Sequence, residues 1–189
     1  MTSAGGPWTV FQKRFDGSVS FYRSWLTYRH GFGTANGEYW LGLENIHLLT
    51  MKKSYRLKIV LKDWQNKVGF VTYDKFSISR LAINANKNGY QLSIGAFKEG
   101  DRSNPLGDSL TYHNGMKFTT YDRDLDQYNS NCAMKYYGAF WYKDCHGANL
   151  NGEYLQGNTT QYGMGIVWGS GKGYYYSYKG TMMMIGPSA

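Results

Sequence analysis

Five Asp-Gly or Asn-Gly pairs, Asp16-Gly17, Asn36-Gly37, Asn88-Gly89, Asn114-Gly115 and Asn151-Gly152, punctuate this protein of 189 residues, with apolar and aromatic stretches between them. Such pairs tolerate the positive φ that tight hairpin turns demand, so their recurrence predicts antiparallel strands and argues against long helices. The stretches between the turns agree: 18 Tyr, 9 Phe and 6 Trp suit a half-buried pleated surface, and runs of Leu, Ala and Glu at helical spacing are few. Tyr55, Leu57, Ile59 and Leu61 alternate with Arg56, Lys58, Val60 and Lys62, the period of two of a strand with one buried face and one largely basic face. Residues 70–73, 90–94, 174–178 and 181–185 are further strand candidates. Short helices are expected over residues 20–30, stopped by Gly31 with Trp25 and Tyr28 inward, and over residues 43–50. The fold class implied is α+β, a mostly antiparallel twisted sheet with short helices and long ordered loops, in a single domain spanning residues 1–189.

The formal charge of +8 is unevenly placed. Residues 1–100 carry 14 basic and 6 acidic groups, whereas residues 101–189 carry seven of each. An excess of this kind attracts anionic partners such as acidic glycans or bacterial envelopes, although it more often describes an ordinary solvated face. The apolar run Met182-Met183-Met184-Ile185 falls far short of the roughly 20 residues that cross a bilayer. The start, Met1-Thr2-Ser3-Ala4, has neither a basic nor an apolar leader region, so no signal peptide is expected there. Neither membrane insertion nor nucleic-acid binding is expected.

Cys132 and Cys145 are the only cysteines. A disulfide between them closes a small loop, worth about 3 kcal/mol on the chain-entropy account, and implies a secreted, extracellular setting. A metal pair or a reactive thiol is the rival, but no CxxC or HExxH pattern supports zinc. The sequon Asn158-Thr159-Thr160 agrees with secretion. Asp144-Cys145-His146 invites a cysteine-nucleophile reading, yet adjacent residues of an extended segment point apart and a bridged sulfur cannot attack. There is no GxSxG elbow, and Gly169-Ser170-Gly171-Lys172 lacks the upstream glycine of a phosphate loop, so no enzyme is expected. Asp122, Asp124 and Asp126 occupy every second position, and Tyr128 and Ser130 continue the spacing. Oxygens so arranged suit calcium, although Gln127 and Ala133 stand where an EF-hand needs Gly and Glu; a solvated acidic turn fits the spacing equally well.

Several dispersed blocks resemble fibrinogen-related domains: Gly6-Pro7-Trp8-Thr9-Val10-Phe11-Gln12-Lys13-Arg14-Phe15-Asp16-Gly17, Glu38-Tyr39-Trp40-Leu41-Gly42, Leu110 to Phe118, Asn131-Cys132-Ala133 and Trp141 to Gly152. The likeness runs from Gly6 to Pro187 and is closest in flavour to ficolin- and tachylectin-type lectins. It implies a sheet part over about residues 6–105 and a calcium- and ligand-binding part over about 106–189. The family opens with a further segment that holds another disulfide, so the amino-terminal subdomain is expected to be missing here. Upstream oligomerising stalks of relatives are missing as well, which leaves homo-oligomer formation open.

By the same resemblance, Asp124 and Asp126 would give carboxylates to Ca2+ with the carbonyls of Tyr128 and Ser130 beside them, and Asp122 is an outer neighbour. The Asp144–Cys145 peptide would be cis, aiming the N–H groups of Cys145 and His146 at a ligand carbonyl. Tyr136, Tyr162 and Tyr174 stand where the lectin members place aromatic contacts. An acetamide suits such a pocket, its methyl on the rings and its carbonyl on backbone donors. The function implied is a calcium-supported lectin for acetylated glycans, such as N-acetylglucosamine on bacterial cell walls, serving innate recognition. A protein-binding module of the coagulation or growth-factor kind is the alternative.

Overall fold

A computed structural model describes residues 7–79, 89–100 and 102–188. Residues 1–4, Gly6 and Asn88, on which parts of the sequence reading rest, lie outside these. Strand β1 (Thr9–Arg14) leads through helix α1 (Trp25–His30) to the small hairpin of β2 (Phe32–Gly33) and β3 (Tyr39–Trp40). Helix α2 (Leu43–Lys52) and the long hairpin of β4 (Tyr55–Lys62) and β5 (Val68–Ile78) follow, then β6 (Leu92–Ile94) and β7 (Phe97–Glu99). Beyond residue 100 come long loops with two-residue strands, β8 (Ala148–Asn149), β9 (Gly157–Asn158), β10 (Val167–Trp168) and β11 (Tyr176–Ser177), and then β12 (Gly180–Pro187).

Among the described residues the main sheet has eight strands in the order β2-β3-β1-β12-β4-β5-β6, with β7 also paired to β5. All its pairings are antiparallel. The expected boundary near residue 105 does not divide sheet from loops, because β12 lies between β1 and β4, pairing with β4 from Gly180↔Lys62 to Pro187↔Tyr55. The hairpin of β2 and β3 needs glycine at Gly33: its φ is +80°, and a Cβ there would sit 2.1 Å from the Glu38 carbonyl oxygen.

Several expected elements are displaced for identifiable reasons. Helix α1 begins at Trp25, five residues later than expected, because Ser24 is extended and caps the Thr27 N–H. The Trp25 N–H is taken by the Asp122 carboxylate at 2.8 Å, a partner 97 residues away. Trp25 and Tyr28 do face inward. The expected strand over 90–94 starts only at Leu92, since Tyr90 is left-handed at φ 50°. The stretch 174–178 contributes only Tyr176–Ser177 to a strand, while 70–73 and 181–185 are the middles of longer ones. The outer face of β4 is less solvated than its charges imply. Lys58 is 8% exposed with Nζ 4.1 Å from the Phe70 ring centre, and Arg56 lies 4.8 Å from Trp8. Burial lowers the Lys58 pKa.

The core is aromatic. Phe11 stacks on Phe76 with centroids 5.4 Å apart and meets Trp40 edge-on at 5.8 Å; Trp40 and Phe118 then contact Trp141 at 6.2 and 5.1 Å. This series of rings joins the sheet to the loop region. Indole N–H groups inside it are satisfied by carbonyls, Trp40 by Tyr28 at 2.9 Å and Trp141 by Tyr90 at 2.8 Å. Beside it, the fully buried Glu38 carboxylate gathers the loop after β1: Oε1 accepts from the N–H groups of Phe15, Asp16 and Gly17, and Oε2 accepts from Val19. Removing this acceptor strands several donors, so Glu38→Ala is expected to cost about 3 kcal/mol in urea denaturation. Glu38→Gln keeps Oε1 and is expected to cost clearly less.

Candidate binding site

The disulfide expected between Cys132 and Cys145 is present. It fastens the helical turn Cys132–Lys135 to the segment that follows Trp141. The Asp144–Cys145 peptide bond is cis. Tyr136, Cys145, His146, Tyr162 and Tyr174 come together around one cavity of about 640 Å³, joined by Tyr112, Tyr128, Lys135 and Asp144. Tyr136 meets the His146 ring edge-on at 4.6 Å, Tyr174 lies 6.0 Å from it, and Tyr162 stacks on Tyr174 at 5.1 Å. Tyr162 stands half out of the protein at 49% exposure, whereas His146 is 8% exposed.

His146 is the unusual member. Among the described residues neither ring nitrogen has a hydrogen-bond partner of good geometry, although both are buried. Burial drives its pKa down to about 3, helped by the neighbouring His113 and opposed by the Gly163 backbone. Among the described residues, the backbone N–H groups of Cys145 and His146 also find no acceptor. Gly163 must be glycine for this packing, since at φ +74° a Cβ would lie 2.8 Å from the Tyr136 ring and 3.1 Å from His146 Nε2.

Residues that the sequence reading gave no role hold the site in place. His113, fully buried, has Nδ1 at 2.8 Å from the Trp141 carbonyl and Nε2 at 3.0 Å from both the Gly147 and Ala148 N–H groups. Only the neutral Nδ1–H tautomer satisfies all three contacts. Burial takes its pKa down to about 4. Tyr112, its neighbour in sequence, donates to the Asp144 carbonyl at 2.7 Å. Asn149 is buried, donates to the Tyr136 and Gly163 carbonyls at 3.3 and 3.2 Å, and accepts from the Tyr142 hydroxyl at 2.6 Å. From the sheet, Gln12 and Arg14 of β1 donate to the Leu150 and Gly152 carbonyls, which fixes the turn after Asn149.

The acidic stretch divides by role. Asp122 accepts from Trp25 N–H and from the Thr120 hydroxyl, so its carboxylate serves the fold. Asp126 accepts from the N–H groups of Tyr128 and Cys132, each at 3.0 Å, which ties the loop to the disulfide. Its pKa is pushed up to about 6, by burial first and by Asp124 in addition, against the pull of those two N–H groups. Two carboxylates so crowded fit a divalent cation. Among the described residues no cluster of three or more His, Cys, Asp and Glu side chains forms a metal group, so carbonyls and water would have to complete the shell. Asn158 of the sequon is exposed on β9.

His113 and His146, the two buried histidines of the site, have folded pKa values below the unfolded value near 6.5. Their contribution is therefore complete above pH 6.5 and is lost as pH falls toward 4, at up to about 1.4 kcal/mol per pH unit for each. Asp126, shifted upward, works in the opposite sense, one group against two. Urea midpoints are expected to fall between pH 7 and pH 5; constant or rising midpoints would contradict the His113 and His146 assignments.

The pattern of the family described as fibrinogen beta and gamma chains, C-terminal globular domain, matches residues 1–188. Microfibril-associated glycoprotein 4 of Bos taurus is 54% identical over 185 residues, which is 98% of this chain and 71% of that protein. Among solved structures, the fibrinogen-like globe domain of human ANGPTL2 superposes with a TM-score of 0.88 at 42% identity, covering 96% of this chain and 81% of that one. Lamprey fibrin D-dimer, complexed with the peptide ligand Gly-His-Arg-Pro-amide, superposes with a TM-score of 0.87 at 34% identity, covering 100% of this chain and 63% of that one.

Proposed function

This protein belongs to the family of the C-terminal globular domain of fibrinogen beta and gamma chains, and from that premise we propose that it is an extracellular recognition module whose cavity at His146 takes a small acetylated group. The carrying observation is the set of unpartnered polar groups in one aromatic cavity: the buried His146 ring and the Cys145 and His146 N–H groups. Tyr136 and Tyr174 give the apolar walls that an acetyl methyl needs, and the N–H groups supply what its carbonyl oxygen needs. The ligands in this reading are acetylated glycans such as those of bacterial cell walls, met during innate recognition. An extracellular setting is supported by the disulfide and the exposed sequon asparagine. No helix among the described residues is long and apolar enough to cross a membrane.

The comparisons support the broader statement, a fibrinogen-like module, and among ligand classes they lean toward protein partners. The fibrin relative is described with a bound peptide and another relative as microfibril-associated. A peptide-binding or protein-binding role is therefore the second reading. Tyr162→Ala separates the two, because its exposed ring can be removed without opening the core. Binding of N-acetylglucosamine, competed by acetate, is expected and is expected to weaken roughly three- to tenfold in the variant. Saturable binding of Gly-His-Arg-Pro-amide that acetyl compounds leave untouched would sink the acetyl reading and support the second.

We also propose that Asp124 and Asp126, with the Tyr128 and Ser130 carbonyls, hold Ca2+, whose charge would relieve the two crowded carboxylates and brace the Asp126–Cys132 link. Calcium at a hundredfold excess over its Kd should stabilise the protein by about 2.7 kcal/mol. Asp124→Asn preserves the acceptor for the Asp126 N–H and is expected to abolish that gain with little change in the metal-free melting temperature. A wild-type melting temperature indifferent to calcium and to EDTA would rule the site out.

A further inference from the structure

Asn158-Thr159-Thr160 is the only Asn-x-Ser/Thr triplet in the chain, and none of its residues lines the cavity. Its asparagine ends β9, which pairs with β11 through Gly157↔Ser177 and Asn158↔Tyr176. The Thr159 N–H bonds to the Tyr175 carbonyl at 2.9 Å, which makes Asn158 and Tyr176 a non-hydrogen-bonded pair, the kind whose side chains stand closest, on one face of the ladder. Asn158 is exposed and Tyr176 is buried. The Tyr176 hydroxyl accepts from the Trp64 N–H at 3.0 Å, and the Trp64 indole lies against Gly157, where a Cβ would be 3.5 Å from its Cδ1. Asn158 therefore leaves the ladder beside an aromatic floor of Tyr176 and Trp64. Thr159 and Tyr175 take the opposite face, where Tyr175 meets Tyr162 of the cavity at 5.3 Å. The Thr159 hydroxyl is occupied by the Gln161 N–H at 3.0 Å. Among the described residues neither the Asn158 amide nor the exposed Thr160 hydroxyl is held by a hydrogen bond, so a substituent on Asn158 breaks no contact of the fold.

We propose that Asn158 carries an N-linked oligosaccharide whose first N-acetylglucosamine lies over Tyr176 and Trp64, on the face of the β9–β11 ladder that turns away from Tyr162. The proposal rests on the extracellular setting inferred above and needs no ligand in the cavity. The donor is a lipid-pyrophosphate-linked oligosaccharide of the secretory route. The Asn158 amide nitrogen bonds to C1 of the reducing-end N-acetylglucosamine, the C1–O bond to pyrophosphate breaks, and the proton lost by the amide leaves with the lipid pyrophosphate. The two rings offer apolar surface to the C–H groups of the sugar, whose hydroxyls stay in water. A glycan so placed closes the Trp64 face to protein partners and leaves the mouth of the cavity open.

Expression behind a secretion signal in animal cells, followed by peptide N-glycosidase digestion in heavy-oxygen water and peptide mass mapping, reads the site directly. A glycopeptide containing Asn158 is expected, which the enzyme converts to one with labelled aspartate at that position. Asn158→Gln and Thr160→Ala are each expected to lose the modification and Thr160→Ser to keep it, which separates loss of the acceptor from misfolding. Wild-type protein that reaches the medium with its disulfide formed and Asn158 unmodified, or a modification that survives Thr160→Ala, overturns the proposal and leaves the extracellular setting standing. Protein that never leaves the cells overturns both. Enzymatic removal of the glycan is further expected to shift the NMR resonance of the Trp64 indole N–H, identified by its absence from Trp64→Phe, while that of Trp141 stays in place. An unmoved Trp64 resonance overturns the packing on this face.

Discussion

A neutral imidazole in the interior, that of His113, is the contact on which the site most depends. One ring nitrogen is bonded to the Trp141 carbonyl and the other to two successive backbone N–H groups, those of Gly147 and Ala148. Trp141 is a core residue whose indole is anchored to the Tyr90 carbonyl, so the imidazole transmits the rigidity of the core to the binding segment. With Tyr112 bonded to the Asp144 carbonyl, two consecutive residues hold the backbone on both sides of Cys145 and His146. Burial keeps the imidazole neutral, and only a neutral ring can donate and accept at once.

The same solution recurs wherever the backbone lacks regular pairing. Glu38 collects the N–H groups of the loop after β1, Asp63 those of the turn between β4 and β5, and Asp108 those that begin the turn at Leu110. Asn149 and Asn151 perform the converse task, donating to carbonyls of the loops around the cavity. Buried backbone groups must be paired, and in a region built from two-residue strands the side chains do the pairing. A site made of loops thereby becomes rigid enough to present fixed donors.

Charge is arranged on top of this frame. Asp124 and Asp126 are crowded shortly before Cys132 in the sequence, and Lys135, only three residues past it, lines the cavity. The loop proposed to bind metal and the face proposed to bind ligand therefore share one short covalently fastened segment. Their coupling is a matter of distance along the backbone, and it needs no long pathway.

The turn pairs, the alternation at residues 55–62, the cysteine pair and the block resemblance already carried the α+β class, both short helices, the disulfide and the residues that meet around His146. Local rules suffice for such features, because turns, strand period and cysteine spacing are encoded in neighbouring residues. Several matters belonged to the tertiary structure alone. At the start of helix α1, which Ser24 caps locally, the Trp25 N–H finds its acceptor only in Asp122, 97 residues away. The last strand enters the middle of the sheet because its partners, β1 and β4, lie far back in the sequence. His113, Asn149 and Lys135 look like ordinary polar residues in the sequence, since whether such a group is buried, satisfied or left without a partner depends on atoms that only folding brings beside it.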